Sequence, residues 1–463
     1  MCEQDGEQRM TGGTALSGGT AADAPVAERA VEALLSLSGR TLPLLREWVG
    51  SDPDCGVARA LLALAAGGHW DETVLKEQLV IAHRDARAAG EREASLVHGV
   101  FLHTHRQYRL TADHLAGHFD RWPADEQAGI MLGAFSACED ADYRARGTLL
   151  MEHQAAHAGS DSWPWVSWLA STRAEQGRVR EAHALAEQAL VRHPRSGVAA
   201  HALAHAEHEL GTGPAGSGFL DDWLATDPHA LQARHLNWHA ALQSIACGDF
   251  ADARRRADTA LARTDVGMRA ATNWRLLLAG QSPAGRSDPD HIRELLAAPG
   301  GTAEVFHTFN LALALAVEGA TDDLHQLSRR ASADERADYR EVLAPVVEAL
   351  AEVTAGRPRA AADLLSGLGE KAERIGGVRV EREIIQDTLA RALMDAGEPA
   401  RAAELLHHRT GTRRHHTYET LLLTPQRLPV TPSSPIGPPP RHPAPPAAPA
   451  TSDPSCAAPR ARV

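Results

Sequence analysis

The stretch HALAHAEHELG, residues 201–211, sets His201, His205 and His208 within an arc of about 60° at 100° per residue, so a helix would carry all three on one face. The segment HLNWH puts His235 and His239 one turn apart in the same way. Pairs with this spacing also occur at His114/His118 and His153/His157, more often than random placement of 25 histidines would give. Two histidines one turn apart, joined by another pair or a carboxylate from a neighbouring helix, make a site for a divalent metal. The candidate ligands are His201, His205, His235, His239 and Glu209, and the candidate ions are zinc, iron and manganese. No cofactor is firmly implied beyond that possible divalent ion. The same imidazoles can act as general bases or as donors to an anionic ligand. They can equally form an amphipathic surface bonded to solvent.

Other motifs carry less. HExxH is absent, and HAEHE is one residue short of HxxEH. Trp163, Trp165 and Trp168 form an aromatic patch that reads as core or groove wall. HHRTGTRRHH, residues 407–416, reads as a solvated basic face, and GTGPAGSG, residues 211–218, as an expanded turn lacking the strand and lysine of a phosphate loop. There is no serine nucleophile elbow and no Cys–His arrangement.

What must position these groups is a repeat. Gly177 and Gly211 are 34 residues apart, as are Pro194 and Pro228, and 34 is the tetratricopeptide period. A third unit follows with Gly248, Phe250, Ala253 and Ala260, and weaker ones surround Gly319, Gly356 and Gly397. Apolar residues recur at three and four from residue 25 to residue 423, with glycine or proline as punctuation. The expected fold is all-α, a tetratricopeptide-like helix-turn-helix solenoid over residues 25–423, clearest at 163–264. Small residues at Ala182, Ala189, Ala253 and Ala260 would let adjacent helices approach closely. Residues 1–24 are expected to be disordered, as is the Pro-rich tail 424–463.

In this phase the histidines lie on first helices, which line the concave groove of such arrays. The expected groove residues are His201, His205, His208, His235, Trp238, His239, Trp165 and Trp168, with Glu207 or Glu209 as a base.

Composition bounds the partners. The net charge of −13 disfavours nucleic acid and anionic membranes. Lys76 and Lys371 are the only lysines, and arginine carries the remaining positive charge. The hydrophobic fraction of 43% against 4% aromatic indicates a core of alanine and leucine. Five scattered cysteines without a CxxC pair fit a reducing compartment. No signal peptide and no run of 18 apolar residues appear, so the expected setting is the cytoplasm, away from membranes.

At HALAHAEHELG, HLNWHAALQSIACGD and NWR (Asn273 to Arg275) the chain resembles the tetratricopeptide repeat protein 38 family. That family pairs an AHxxAHxxE-type helix with an HxxWHxAL-type helix. The resemblance runs from about residue 30 to about residue 410 and includes REASLVHGVFLHTH, HFDRWPADE and GFLDDWL. His201, His205, His235, Trp238 and His239 fall on its motif positions. His208 stands in place of a glutamate, and Asn310 in place of a histidine. The resemblance implies a helical-repeat fold with a groove, and no particular reaction. The expected function is a binding or scaffold module that takes a protein or small-molecule ligand in a His- and Trp-lined groove. The alternative is a metal-dependent, hydrolase-like enzyme using the same groove.

Overall fold

The computed structural model describes residues 24–66, 70–105, 107–132, 141–261, 266–298 and 300–425. The expected disorder of residues 1–23 and of the tail from 426 onward lies outside the described residues. Among the described residues every regular element is helical and there is no strand. None of these helices is long and apolar enough to cross a membrane.

Helices pair with their neighbours in antiparallel hairpins. Trp163–Glu175 packs on Val179–Arg192, Gly197–Leu210 on Pro214–Thr226, and Ala233–Cys247 on Phe250–Asp258. First helices also stack on one another, from Trp163–Glu175 through Gly197–Leu210 and Ala233–Cys247 to Val266–Leu278. This is the α-solenoid that the 34-residue spacing predicts. Ala182, Ala189 and Ala253 are fully buried at helix contacts. Ala260 falls beyond the end of its helix, and Ala257 takes the buried position instead.

The repeat glycines end their helices in the left-handed region, where a β-carbon is costly. Gly211 (φ +61°) caps Gly197–Leu210, and its N–H bonds back into that helix. A Cβ there would also stand 2.6 Å from the Cβ of Arg413, so the backbone of residues 413–415 can pass close by. Arg414 N and His415 N donate to the carbonyls of Leu210 and Gly211 at 3.0 and 2.9 Å.

That contact marks the main departure from an open array. The helix Arg379–Asp395, the closing helix, packs on Val266–Leu278, Pro399–Thr412 packs on Gly197–Leu210, and Thr417–Leu422 packs on Ala233–Cys247. The chain thus returns to cover the second half of the expected groove. At the other end, Gly197 N and Leu231 N donate to the carbonyls of Ser36 and Leu37 at 2.8 Å each. Asp227 accepts from Ser38 Oγ and Gly39 N at 3.0 Å each.

Two large apolar clusters result, one within residues 27–198 and one within residues 245–422. The histidine helices lie between them in sequence, and smaller alanine-rich clusters hold them.

Candidate metal centre at the floor of a cleft

The first histidine helix, Gly197–Leu210, starts at Ser196, whose side chain accepts from Ala199 N at 3.0 Å. Alanines at 199, 200, 202, 204 and 206 fill its packed faces. The small side chains bring the second histidine helix, Ala233–Cys247, against it. His201 and His205 then meet His235 and His239. Ring centroids are 4.6 Å apart for His201–His235 and for His205–His239, and 4.9 Å for His235–His239. One ring nitrogen from each of the four lies within 4.8 Å of the others. The Nε2 atoms of His201 and His205 are 3.0 Å apart.

The electrostatics suit a ligand set. His239 is 1% exposed, and neither of its ring nitrogens meets a hydrogen-bond partner in the protein. Burial pushes the pKa of His205 down to about 3, with the neighbouring His235 adding to the effect. Burial likewise drives His201 and His239 well below the ordinary histidine range. At neutral pH these three rings are uncharged, the form that binds metal. Nitrogens of a tetrahedral site with bonds of about 2.0–2.1 Å sit about 3.3 Å apart. A regular tetrahedron with 4.8 Å edges has its corners about 2.9 Å from its centre, so each nitrogen needs to move inward by less than about 1 Å.

Above the histidines lies a cleft of about 580 Å³, lined at its floor by His201, His205 and His235. His239 is behind the floor. Leu132, Met151, Trp168 and Val198 give the cleft an apolar wall, Thr148, Ser171, Thr172, Gln176 and Gln232 add uncharged polar side chains, and Glu373, Val378, Glu381 and Arg382 line it from the closing segment. Charged groups on the walls are paired. Arg144 bonds Glu373 at 3.2 Å, and Arg382 bonds Glu175 at 3.4 Å. Both oxygens of Glu175 accept from Arg379 N at 3.0 Å, and Glu381 accepts from Val378 N at 2.8 Å, so the two carboxylates cap the closing helix. Burial, reinforced by the charge of Glu175, pushes the Glu381 carboxyl up to about 7. Burial raises Glu175 as well.

Several expected site residues land elsewhere. His208 turns to the closing helix, where its Nε2 meets Glu383 at 3.0 Å. Glu209 lies outside the four-histidine group and pairs with Arg379 at 3.0 Å and Arg413 at 3.6 Å. Glu207 accepts from His183 Nε2 at 2.9 Å. Trp238 is 2% exposed, packed on Leu242, Leu261 and Val380 and backing the rings of His235 and His239 at 5.4 and 5.1 Å. Trp165 is fully buried in the N-terminal core, donating to Ala124 O at 3.0 Å, while Trp168 reaches the cleft. His153 and His157 are exposed. Asn310 bonds its own helix at Phe306 O, outside the group.

The basic segment 407–416 is only partly a solvated face. Arg409 and Arg413 are buried, where Glu383, Asp387 and Glu419 neutralise them. The carboxylates attract these guanidiniums more than burial penalises them, and both pKa values rise. NWR performs the same joining role: Trp274 Nε1 donates to Thr388 at 2.9 Å, and Arg275 to Val380 O at 2.9 Å.

Two further polar groups can be set against this centre. Ser95 Oγ, His118 Nδ1 and Asp125 form a hydrogen-bonded chain at 2.9 and 3.1 Å, but His118 and Asp125 are buried and Arg92 holds the aspartate at 2.9 Å. It joins helices. His325, Glu348 and Glu352 also cluster, but Arg357 already supplies the cation, bonding Glu352 at 2.7 Å.

Sequence reasoning missed Glu175, Glu381, Glu383 and Arg144. They come from outside the two histidine repeats, and no local spacing connects them to it.

Fold and site together define an all-α helical-repeat protein with a four-histidine cluster under a cleft. No protein-family model matches the chain, and no curated protein matches it.

Proposed function

We propose that the protein is a metal-dependent enzyme of hydrolase-like chemistry, with a divalent ion held by His201, His205, His235 and His239. The observation that carries this reading is their convergence, one nitrogen from each within 4.8 Å of the rest, at the floor of a cleft. An all-imidazole set favours zinc or iron; manganese would be better served by the carboxylate of Glu209. With four imidazoles holding it, the ion would take a substrate oxygen or a water only as a fifth ligand on the cleft side, where it would polarise that oxygen or lower the pKa of the bound water. Glu381, with a pKa of about 7 and a place on the cleft wall, is the candidate proton carrier.

The binding-module reading is second, supported by the cleft's size and its apolar wall. In it, a small ligand rests on Trp168 and the three floor histidines. Kinship with the tetratricopeptide repeat protein 38 family belongs to the same proposal, on the 34-residue period and the two histidine motifs. So does a reducing, cytoplasmic setting, supported by the free thiols of Cys55 and Cys247.

The test is metal content of tag-free protein beside His205→Ala/His239→Ala. Near-stoichiometric zinc or iron in the parent and its loss in the variant support the metal reading, and a hydrolase screen follows. A parent without metal that also takes up none on incubation with zinc or ferrous iron leaves the binding module.

A further inference from the structure

The walls of the cleft say what a bound metal would face. The four candidate ligands are all imidazoles, with no carboxylate in the group. A divalent ion there would keep its two positive charges in a site where His205 and His239 are almost out of contact with water. Uncompensated charge in such a place is costly, so the centre demands an anion.

None of the wall carboxylates belongs to the four-histidine group, and each is held elsewhere. Glu175 is held by two backbone contacts and Arg382, Glu381 by Val378 N, and Glu373 by Arg144. The pairing works in the other direction too. Arg144 and Arg382 are already engaged, so a phosphate or sulfate head away from the metal would find no free guanidinium among them. What remains beside the histidine floor mixes the uncharged polar side chains Thr148, Ser171, Thr172, Gln176 and Gln232 with the apolar Ile130, Leu132, Met151, Trp168 and Val198. The volume of about 580 Å³ falls in the range of a drug-sized ligand.

We infer that the cleft takes an amphiphilic monoanion: a carboxylate-type head as fifth ligand on the cleft side of the metal and an uncharged hydrocarbon or aryl body along the Ile130–Trp168 wall. This rests on the metal reading above and adds the class of molecule that the site selects. The head supplies the charge that four neutral ligands omit. The body gains from leaving water, roughly in proportion to the apolar area it covers. Short carboxylates gain only the first of these, and long amines only the second.

The experiment uses the full chain loaded with cobalt(II), whose visible absorption reports on the metal's ligands. Acetate, butanoate, hexanoate and octanoate are titrated, with octylamine as the control lacking an anionic head. The expected result is a spectral change with each carboxylate and affinity rising with chain length, at least about tenfold from acetate to octanoate. Octylamine leaves the spectrum unchanged. Ile130→Gln should flatten the chain-length series while retaining cobalt, and the series in the parent stands even if that variant folds poorly. Equal affinity for acetate and octanoate on cobalt-loaded protein overturns this inference and leaves the metal centre intact. Octanoate binding undiminished, by calorimetry, in His205→Ala/His239→Ala overturns the metal-bound head. Failure of the parent to take up cobalt overturns the inference and the metal reading together.

Discussion

Nε2 of His201 faces Nε2 of His205 across 3.0 Å, one helical turn apart, and burial keeps both rings uncharged at neutral pH. A neutral imidazole has one N–H and one lone pair, so at most one ring of the pair can donate to the other at this contact. Directly behind them His239 has no partner at either nitrogen. The group therefore has lone pairs that the protein's own donors do not fill, and a cation is the natural complement.

His239→Leu separates a metal ligand from a core histidine. Without metal, the substitution removes two buried nitrogens that lack partners and should be neutral or stabilising, by up to about 1–3 kcal/mol. With zinc at about one hundred times its Kd, the parent should gain about 2.7 kcal/mol and the variant much less. Urea unfolding of both proteins, with chelator and with zinc, measures the difference. A parent indifferent to zinc would sink the prediction.

Acid should destabilise the chelator-treated protein earlier than carboxylate titration alone would. His205 has a folded pKa of about 3, below its unfolded value near 6.5, so the unfolded chain takes the proton first as pH falls. The stability is fully present above about pH 6.5 and drains away toward about pH 3, at about 1.4 kcal/mol per pH unit for each such histidine. His201 and His239 shift in the same direction, and burial lowers His103 to about 4. Urea midpoints at about pH 7.5 and about pH 5 should differ clearly, and should differ less in His205→Ala/His239→Ala.

Glu383 anchors the return of the chain. It meets His208, Arg409 and Arg413 in a buried network, and the two guanidiniums hold its carboxyl well below the usual range. Glu383→Leu leaves those guanidiniums short of a counter-charge and should cost about 3–5 kcal/mol. Thermal unfolding reads the loss. A shift equivalent to less than about 1 kcal/mol would mean that packing alone closes the chain.

Two glycines with the same backbone sign can be used to separate strain from close approach. Gly397 (φ +82°) has nothing near its missing Cβ, so Gly397→Ala should cost about 1–2 kcal/mol from conformation alone. Gly211→Ala adds a 2.6 Å clash with Arg413 and should cost more, with the closing segment displaced. Equal losses in chemical denaturation would show that residues 413–415 move aside freely.

Much of this was legible in the residues. Apolar periodicity gives the helices, a local consequence of 3.6 residues per turn, and the 34-residue glycine spacing gives the length of each helix-turn-helix unit. The facing of His201 and His205 toward His235 and His239 follows from the repeat phase, and the structure brings the four together. Trp238 shares a helix with His235 and His239 and so reads as a groove contact. It is buried because Val378 and Val380 come back over it, and nothing periodic announces a return across more than a hundred residues. Arg409 and Arg413 read as solvated for the same reason. A charged face and a buried ionic joint look alike until Glu383, Asp387 and Glu419 are seen opposite. Glu209 shares its helix with the histidines, but Arg379 and Arg413 hold it away from their cluster.

The cleft wall formed by residues 373–382 has a consequence for biosynthesis. A ribosome reaches Glu381 about 140 residues after His239, which at 5–20 residues per second is about 7–28 seconds later. During that interval the two histidine helices can emerge and pair while their cover is still unmade. The four imidazoles are then open to the surrounding solution, and an ion that binds them would be in place before the closing helix arrives. Order of synthesis, as much as final geometry, would then decide which ion is sealed in.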